Sequence, residues 1–188
     1  MKKYSKTTQF IKSRVIGVLF LLAFLFYGIG RSLFESELEI QKHIGSVLIF
    51  INSIVVLFIG FFLRKTIIKG NLLIGNTYFL SRVIEALALS SILLNLIPAV
   101  NISLDFGYFI AMLFLGIGSI PMCYIYYKHN FLPKWLALCG LIGYTVMAFG
   151  FLMELFGREW SMYLLILAGF WEVTFAIWLI MRKEQNQK

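Results

Sequence analysis

The stretch YFLSRVIEALALSSILLNLIP, Tyr78–Pro98, has the length and apolar content of a membrane-crossing helix, yet it carries Arg82 and Glu85 three residues apart. A helix needs roughly 17–25 residues to cross a hydrocarbon core about 30 Å thick. On insertion scales a mid-helix arginine or aspartate costs about 2.5–3.5 kcal/mol, and each aliphatic residue returns about 0.3–0.6 kcal/mol. If glutamate costs as much as aspartate, the aliphatic residues of this span barely offset its two charges. Such a helix is marginal alone. It must turn its charged face toward other helices, where partners exist.

The rest of the chain supplies those helices. Of 188 residues, 60% are hydrophobic and 14% charged, against roughly 45–50% and about 25% in soluble domains. The apolar residues gather into runs, which predict spans near Val15–Gly30, Gly45–Leu63, Tyr78–Pro98, Gly107–Tyr127, Trp135–Leu155 and Tyr163–Met181. The basic start MKKYSKTTQFIKSR resembles a signal peptide, but no small-x-small cleavage site follows and five more spans do. An uncleaved first helix is expected.

Charge sets the expected orientation. Lys2, Lys3, Lys6, Lys12, Arg14, Arg64, Lys65, Lys69, Lys128, Lys134, Arg182, Lys183 and Lys188 fall on one side; Arg31, Lys42 and Arg158 fall on the other. The positive-inside rule then places both termini in the cytoplasm. The predicted fold is all-α: a polytopic membrane protein, one compact bundle of six transmembrane helices over residues 1–188. Short basic cytoplasmic tails are expected at 1–14 and 182–188. Short connections make consecutive helices antiparallel neighbours, and RSLFESELEIQKHIGS is expected to extend the first helix beyond the membrane. Trp135, Tyr126, Tyr127, Trp160 and Tyr163 stand where interfacial anchors belong. Gly28, Gly30, Gly116, Gly118, Gly140, Gly143, Ala168, Gly169 and Ala176 are candidates for close helix approach.

The +8 net charge does not indicate nucleic-acid binding, because the basic clusters abut hydrophobic runs and no base-reading polar residues are interleaved. Cys123 and Cys139 lack metal-ligand spacing and read as small core residues. The two histidines, His43 and His129, lie near opposite surfaces, which disfavours haem held by facing histidines. There is no HExxH and no GxxxxGK[ST] sequence. Ser53 and Ser119 lie in spans with no mid-membrane histidine or lysine as base, so a serine hydrolase is poorly supported. No metal and no cofactor is expected, and no catalytic residue is assigned.

The chemistry concentrates instead at mid-membrane. Arg82 and Glu85 share a helix face with Tyr78 one turn earlier. Glu172 lies near the middle of the sixth span, and Arg82 is the one basic residue at comparable depth. Asn52 and Tyr144 are placed to complete a hydrogen-bonded cluster. Nearer the outer surface, Arg31 and Glu154 form a candidate second pair, with Asp105 close by. The central cluster is either a structural ion pair that fixes helix register or a ligand or proton site.

The successive blocks FLFYGIGRSL, INSIVVLFIG, SRVIEA, GIGSIPMCYIYYK, LPKWLALCGLIGY and FWEVTFAIWLI resemble those of a bacterial membrane family catalogued as domain of unknown function 4386. The blocks occur in order from the first span through the sixth, and Arg31, Asn52, Arg82, Glu85, Lys134, Trp135 and Glu172 are their most distinctive positions. The resemblance implies a six-helix bacterial integral membrane protein and implies no reaction.

Three functional readings follow. The first is a non-enzymatic protein of the bacterial cytoplasmic membrane that holds a small amphipathic ligand, a lipid or a partner helix at the Arg82/Glu85/Glu172 cluster. The second is a small transporter or proton-coupled exchanger, motivated by the carboxylates and by weak echoes at Gly28/Gly116 and Glu85/Glu172 that suggest inverted three-span halves. The third is an intramembrane enzyme acting on lipid with a glutamate as base. The lipid bilayer is the expected partner throughout, and a homo-oligomer is compatible with each reading.

Overall fold

A computed structural model describes residues 2–97, 100, 103–154, 156–157 and 160–182, with side chains from Ser13 onward. Arg158, Lys183 and Lys188, used above for orientation, lie outside the described residues. The chain folds as α1 (Lys2–Phe34), α2 (Glu39–Ile67), α3 (Leu72–Ser90) with a 3-10 extension (Ser91–Leu96), α4 (Leu104–Lys128), α5 (Lys134–Glu154) and α6 (Ser161–Met181). Among the described residues there is no strand. Six helices are long and apolar enough to cross a membrane.

Helix ends follow local chemistry. Asn71 accepts a hydrogen bond from the Ile74 N–H and Ser103 from the Phe106 N–H, capping α3 and α4. This cap starts the third helix at Leu72, six residues before the expected boundary. Its far end tightens into 3-10 geometry where the hydroxyls of Ser90 and Ser91 donate back to the carbonyls of Leu87 and Ala88. Past α4, Asn130 takes a left-handed conformation, φ 52°, and the Phe131 N–H reaches back to the Tyr126 carbonyl. The chain then turns into α5 within a few residues.

The first helix runs past both ends of the expected span Val15–Gly30. At 33 residues, α1 spans about 50 Å, so the basic N-terminal segment is itself helical. The acidic connection does not simply prolong α1: helix α1 ends at Phe34 and α2 begins at Glu39, leaving four linking residues.

Each helix packs against its neighbours in sequence, and α6 packs back on α1. Apart from a brushing contact between α2 and α4, the helices form a closed ring in which α1 lies across from α4 and α3 across from α6. This order argues against the inverted halves. In such a ring the first three helices, viewed from the side where they start, run around the axis in one sense. The last three, viewed from their own starting side, run in the opposite sense. No rotation superposes the two.

Small residues set the close approaches. A Cβ at Gly30 or Gly45 would strike the facing backbone or Ile49, and one at Gly140 would strike Trp171. Gly28 is different: it is exposed, with nothing within 4 Å, so it is not a packing position. The interior is filled mainly by Ile49, Ile59, Tyr78, Met122, Tyr126, Tyr144, Met147, Phe151, Trp171 and Phe175. Tyr127, Trp135, Trp160 and Tyr163 are exposed at helix ends, as anchors would be, whereas Tyr126 is buried in the interior and is not one.

Candidate functional site

The end of the ring carrying the α1–α2, α3–α4 and α5–α6 connections is termed the outer end, following the expected orientation. At mid-depth α3 points Tyr78, Arg82 and Glu85 into the ring. They lie at helical spacing, so one helix supplies a phenol, a guanidinium and a carboxylate on one face. Arg82 Nε donates to Tyr78 Oη at 2.9 Å, and Nη1 donates to Glu85 Oε2 at 3.0 Å and Oε1 at 3.3 Å. From α6, Glu172 Oε1 stands 3.8 Å from Arg82 Nη2 and accepts the Tyr144 hydroxyl of α5 at 2.7 Å. Three helices thus meet in one polar centre. Arg82 and Glu85 side chains are each 3% exposed, whereas Glu172 is 13% exposed.

The centre is not fully satisfied. Arg82 Nη2 is buried without a hydrogen-bond partner, since 3.8 Å to Glu172 is ion-pair distance only. Among the described residues nothing donates to Glu172 Oε2. Two carboxylates facing one guanidinium also leave a formal surplus of one negative charge when all three are ionised.

Five of the expected cluster residues therefore come together: Tyr78, Arg82, Glu85, Tyr144 and Glu172. Asn52 does not join them. It is buried, its Oδ1 has no partner, and no hydrogen bond links it to the centre. The reason is register: Gly60 of α2 is the residue against Arg82, and Asn52 lies eight residues, about 12 Å of helix, nearer the outer end.

The expected Arg31–Glu154 pair is also corrected. Arg31 Nε binds Glu35 Oε1 one turn along its own helix, and Nη2 binds Asp105 Oδ1 of α4, both at 2.8 Å. Arg31 Nε and Nη2 are thus turned to Glu35 and Asp105, Nη1 reaches Tyr27 Oη at 3.5 Å, and Glu154 is left exposed at the end of α5.

Sequence reasoning missed the aromatic layers above and below the centre. On the outer side Tyr27 of α1 and Tyr108 of α4 stack at 5.0 Å and 17°, although their helix backbones are not in contact. The signal was present: Tyr27 is one turn before Arg31, and Tyr108 one turn after Asp105. On the inner side Phe20, Tyr126, Trp171 and Phe175 pack ring to ring, with Trp171 and Phe175 stacked at 4.8 Å. Phe20 and Tyr78 also lie within 6 Å of the Arg82 guanidinium carbon, at cation–π range.

A ring of six membrane-length helices around a buried Arg/Glu/Tyr centre defines a multi-pass α-helical membrane protein. Within that class, the family described as Domain of unknown function (DUF4386) matches residues 102–182, from just before α4 through α6. This is the family that the sequence blocks resemble; the match takes in the last three of the six blocks and contains Tyr108, Tyr144 and Glu172. No curated protein and no solved structure matches the chain.

Proposed function

We propose that this chain is a non-enzymatic protein of the bacterial cytoplasmic membrane, with both termini cytoplasmic, that holds a small amphipathic molecule or lipid group at the Arg82/Glu85/Glu172 centre. One observation carries the reading: Arg82 Nη2 and Glu172 Oε1 stand 3.8 Å apart inside the bundle, beyond hydrogen-bond reach, and Nη2 is buried with no other partner. A purely structural ion pair gains most by closing to hydrogen-bond distance, because an unpaired buried donor costs about 1–3 kcal/mol. A bound molecule with its own polar acceptor satisfies Nη2. The absence of an assigned general base other than a carboxylate paired with arginine or tyrosine keeps the enzyme reading behind this one.

Native mass spectrometry of the gently purified protein tests the proposal. A co-purifying mass on the wild type, lost in folded Glu172→Gln and Arg82→Gln variants, is expected. A bare wild-type mass would move the account to a structural ion pair, with function sought in protein partners.

A further inference from the structure

We infer that the molecule taken by this centre is a small organic cation, an ammonium compound, which reaches Glu172 from the outer end of the ring past Tyr27 and Tyr108. This rests on the binding reading above and specifies its ligand.

The first ground is charge. At the mouth, Arg31 is flanked by Glu35 and Asp105; at mid-depth, Arg82 is flanked by Glu85 and Glu172. With all side chains ionised, each level carries one more carboxylate than arginine. An anion would meet a like-charge surplus twice on the way in. A neutral molecule would gain nothing from it. A cation is favoured at both levels, and more strongly at the second, where the surroundings are less polar.

The second ground is the surface between the two levels. Tyr27 and Tyr108 are half-buried and come from helices on opposite sides of the ring, so their stacked pair lies across the interior. Phe151 meets Tyr108 edge-on at 6.0 Å. Tyr108 lines a small space with Ala88 and Leu89 of α3, one turn outward of Glu85. Its ring already engages a cation: the Arg31 guanidinium carbon is 5.7 Å from its centroid. Aromatic faces beside a carboxylate are the chemistry that recognises ammonium groups.

The third ground is the unfinished hydrogen bonding. The buried Arg82 Nη2 has no hydrogen-bond acceptor, and Glu172 stands 3.8 Å from it at ion-pair distance. An ammonium compound that also carries a hydroxyl or ether oxygen fits this arrangement, with its charge against Glu172 and its oxygen accepting from Arg82 Nη2. A metal ion fits less well: among the described residues no group of three His, Cys, Asp or Glu side chains could hold one.

Equilibrium dialysis of the full chain in detergent micelles, using choline and its uncharged isostere with a tert-butyl group in place of trimethylammonium, tests this. Saturable choline binding is expected, with the isostere at least about ten-fold weaker. Tyr108→Leu should weaken choline about ten-fold while Tyr108→Phe, which keeps the aromatic face, should not. Glu172→Gln should abolish binding; the Tyr108 variants keep the test decisive if that protein fails to fold. Equal binding of choline and isostere would overturn the cation inference and leave an amphipathic site standing. Choline failing to bind a protein that still carries a co-purifying mass would overturn it too. If choline fails and the wild-type mass is bare, the binding reading falls with it.

Discussion

The closeness of α2 to the Arg82 stem makes Gly60 the most informative single position. A Cβ built on Gly60 would lie 2.7 Å from Arg82 Cβ and 3.0 Å from Cγ. To reach 3.4 Å, where ordinary contact begins, the arginine stem must retreat by roughly 0.7 Å. The stem is held at its far end by Tyr78 and Glu85, so it cannot swing freely. Overpacking of this kind typically costs about 1–3 kcal/mol, and replacing a helical glycine by alanine returns roughly 0.5–1 kcal/mol. Gly60→Ala should therefore be destabilising by up to about 2.5 kcal/mol on balance. Gly28→Ala supplies the control: nothing lies within 4 Å of its Cβ, so only the helix-propensity gain applies. Thermal unfolding of both variants in the same detergent, followed by fluorescence-detected size exclusion, should rank Gly28→Ala at or above wild type and Gly60→Ala below it. A Gly60→Ala protein as stable as Gly28→Ala would refute the close approach of α2 to Arg82.

Asp105→Asn should lower stability at the outer end by up to about 1 kcal/mol, whereas Glu154→Gln should be silent, and thermal unfolding of the two variants would show it. Cys123 is in the core as expected, but Cys139 lies on the exposed face of α5 near its inner end, so N-ethylmaleimide should label Cys139 before Cys123 in the folded protein; mass spectrometry after a short exposure reads the difference. Glu172→Leu should reduce folded yield more than Glu184→Leu, the latter lying outside the described residues, and equal yields would oppose an inward role for Glu172. A cysteine placed at Ser36 should react with a membrane-impermeant maleimide on intact cells, and one at Gly70 should not, if both termini are cytoplasmic.

The fold was largely legible because hydrophobic runs of membrane length have few alternative structures. Arg82 and Glu85 also forced the third span to face inward, and Glu172 was the one central carboxylate on another helix able to meet them. Positions along a helix were harder. Asn52 is near mid-span by counting, yet α2 is set so that Gly60 meets Arg82, and no one-dimensional pattern reports that offset between helices. Arg31 had three carboxylates within plausible reach, and Glu35 won on spacing while Asp105 won through the ring closure that brings α4 across from α1. The Tyr27–Tyr108 pair was hidden for the same reason: it joins helices that are distant in sequence and not adjacent in the ring. Gly28, set beside Gly30 in the sequence, faces outward because two residues along a helix turn through about 200°.

The central claim is that the guanidinium of the third span and the carboxylate of the sixth meet inside the ring. A double-mutant cycle with Arg82→Met and Glu172→Gln, read as unfolding free energy in one detergent, measures that contact directly. Arg82→Met alone should cost about 3–5 kcal/mol, because it strands buried carboxylates. Adding Glu172→Gln should recover at least about 1 kcal/mol of that loss relative to the sum of the single changes. Effects that add to within about 0.5 kcal/mol would contradict the account, and would mean that α3 and α6 do not share a polar centre.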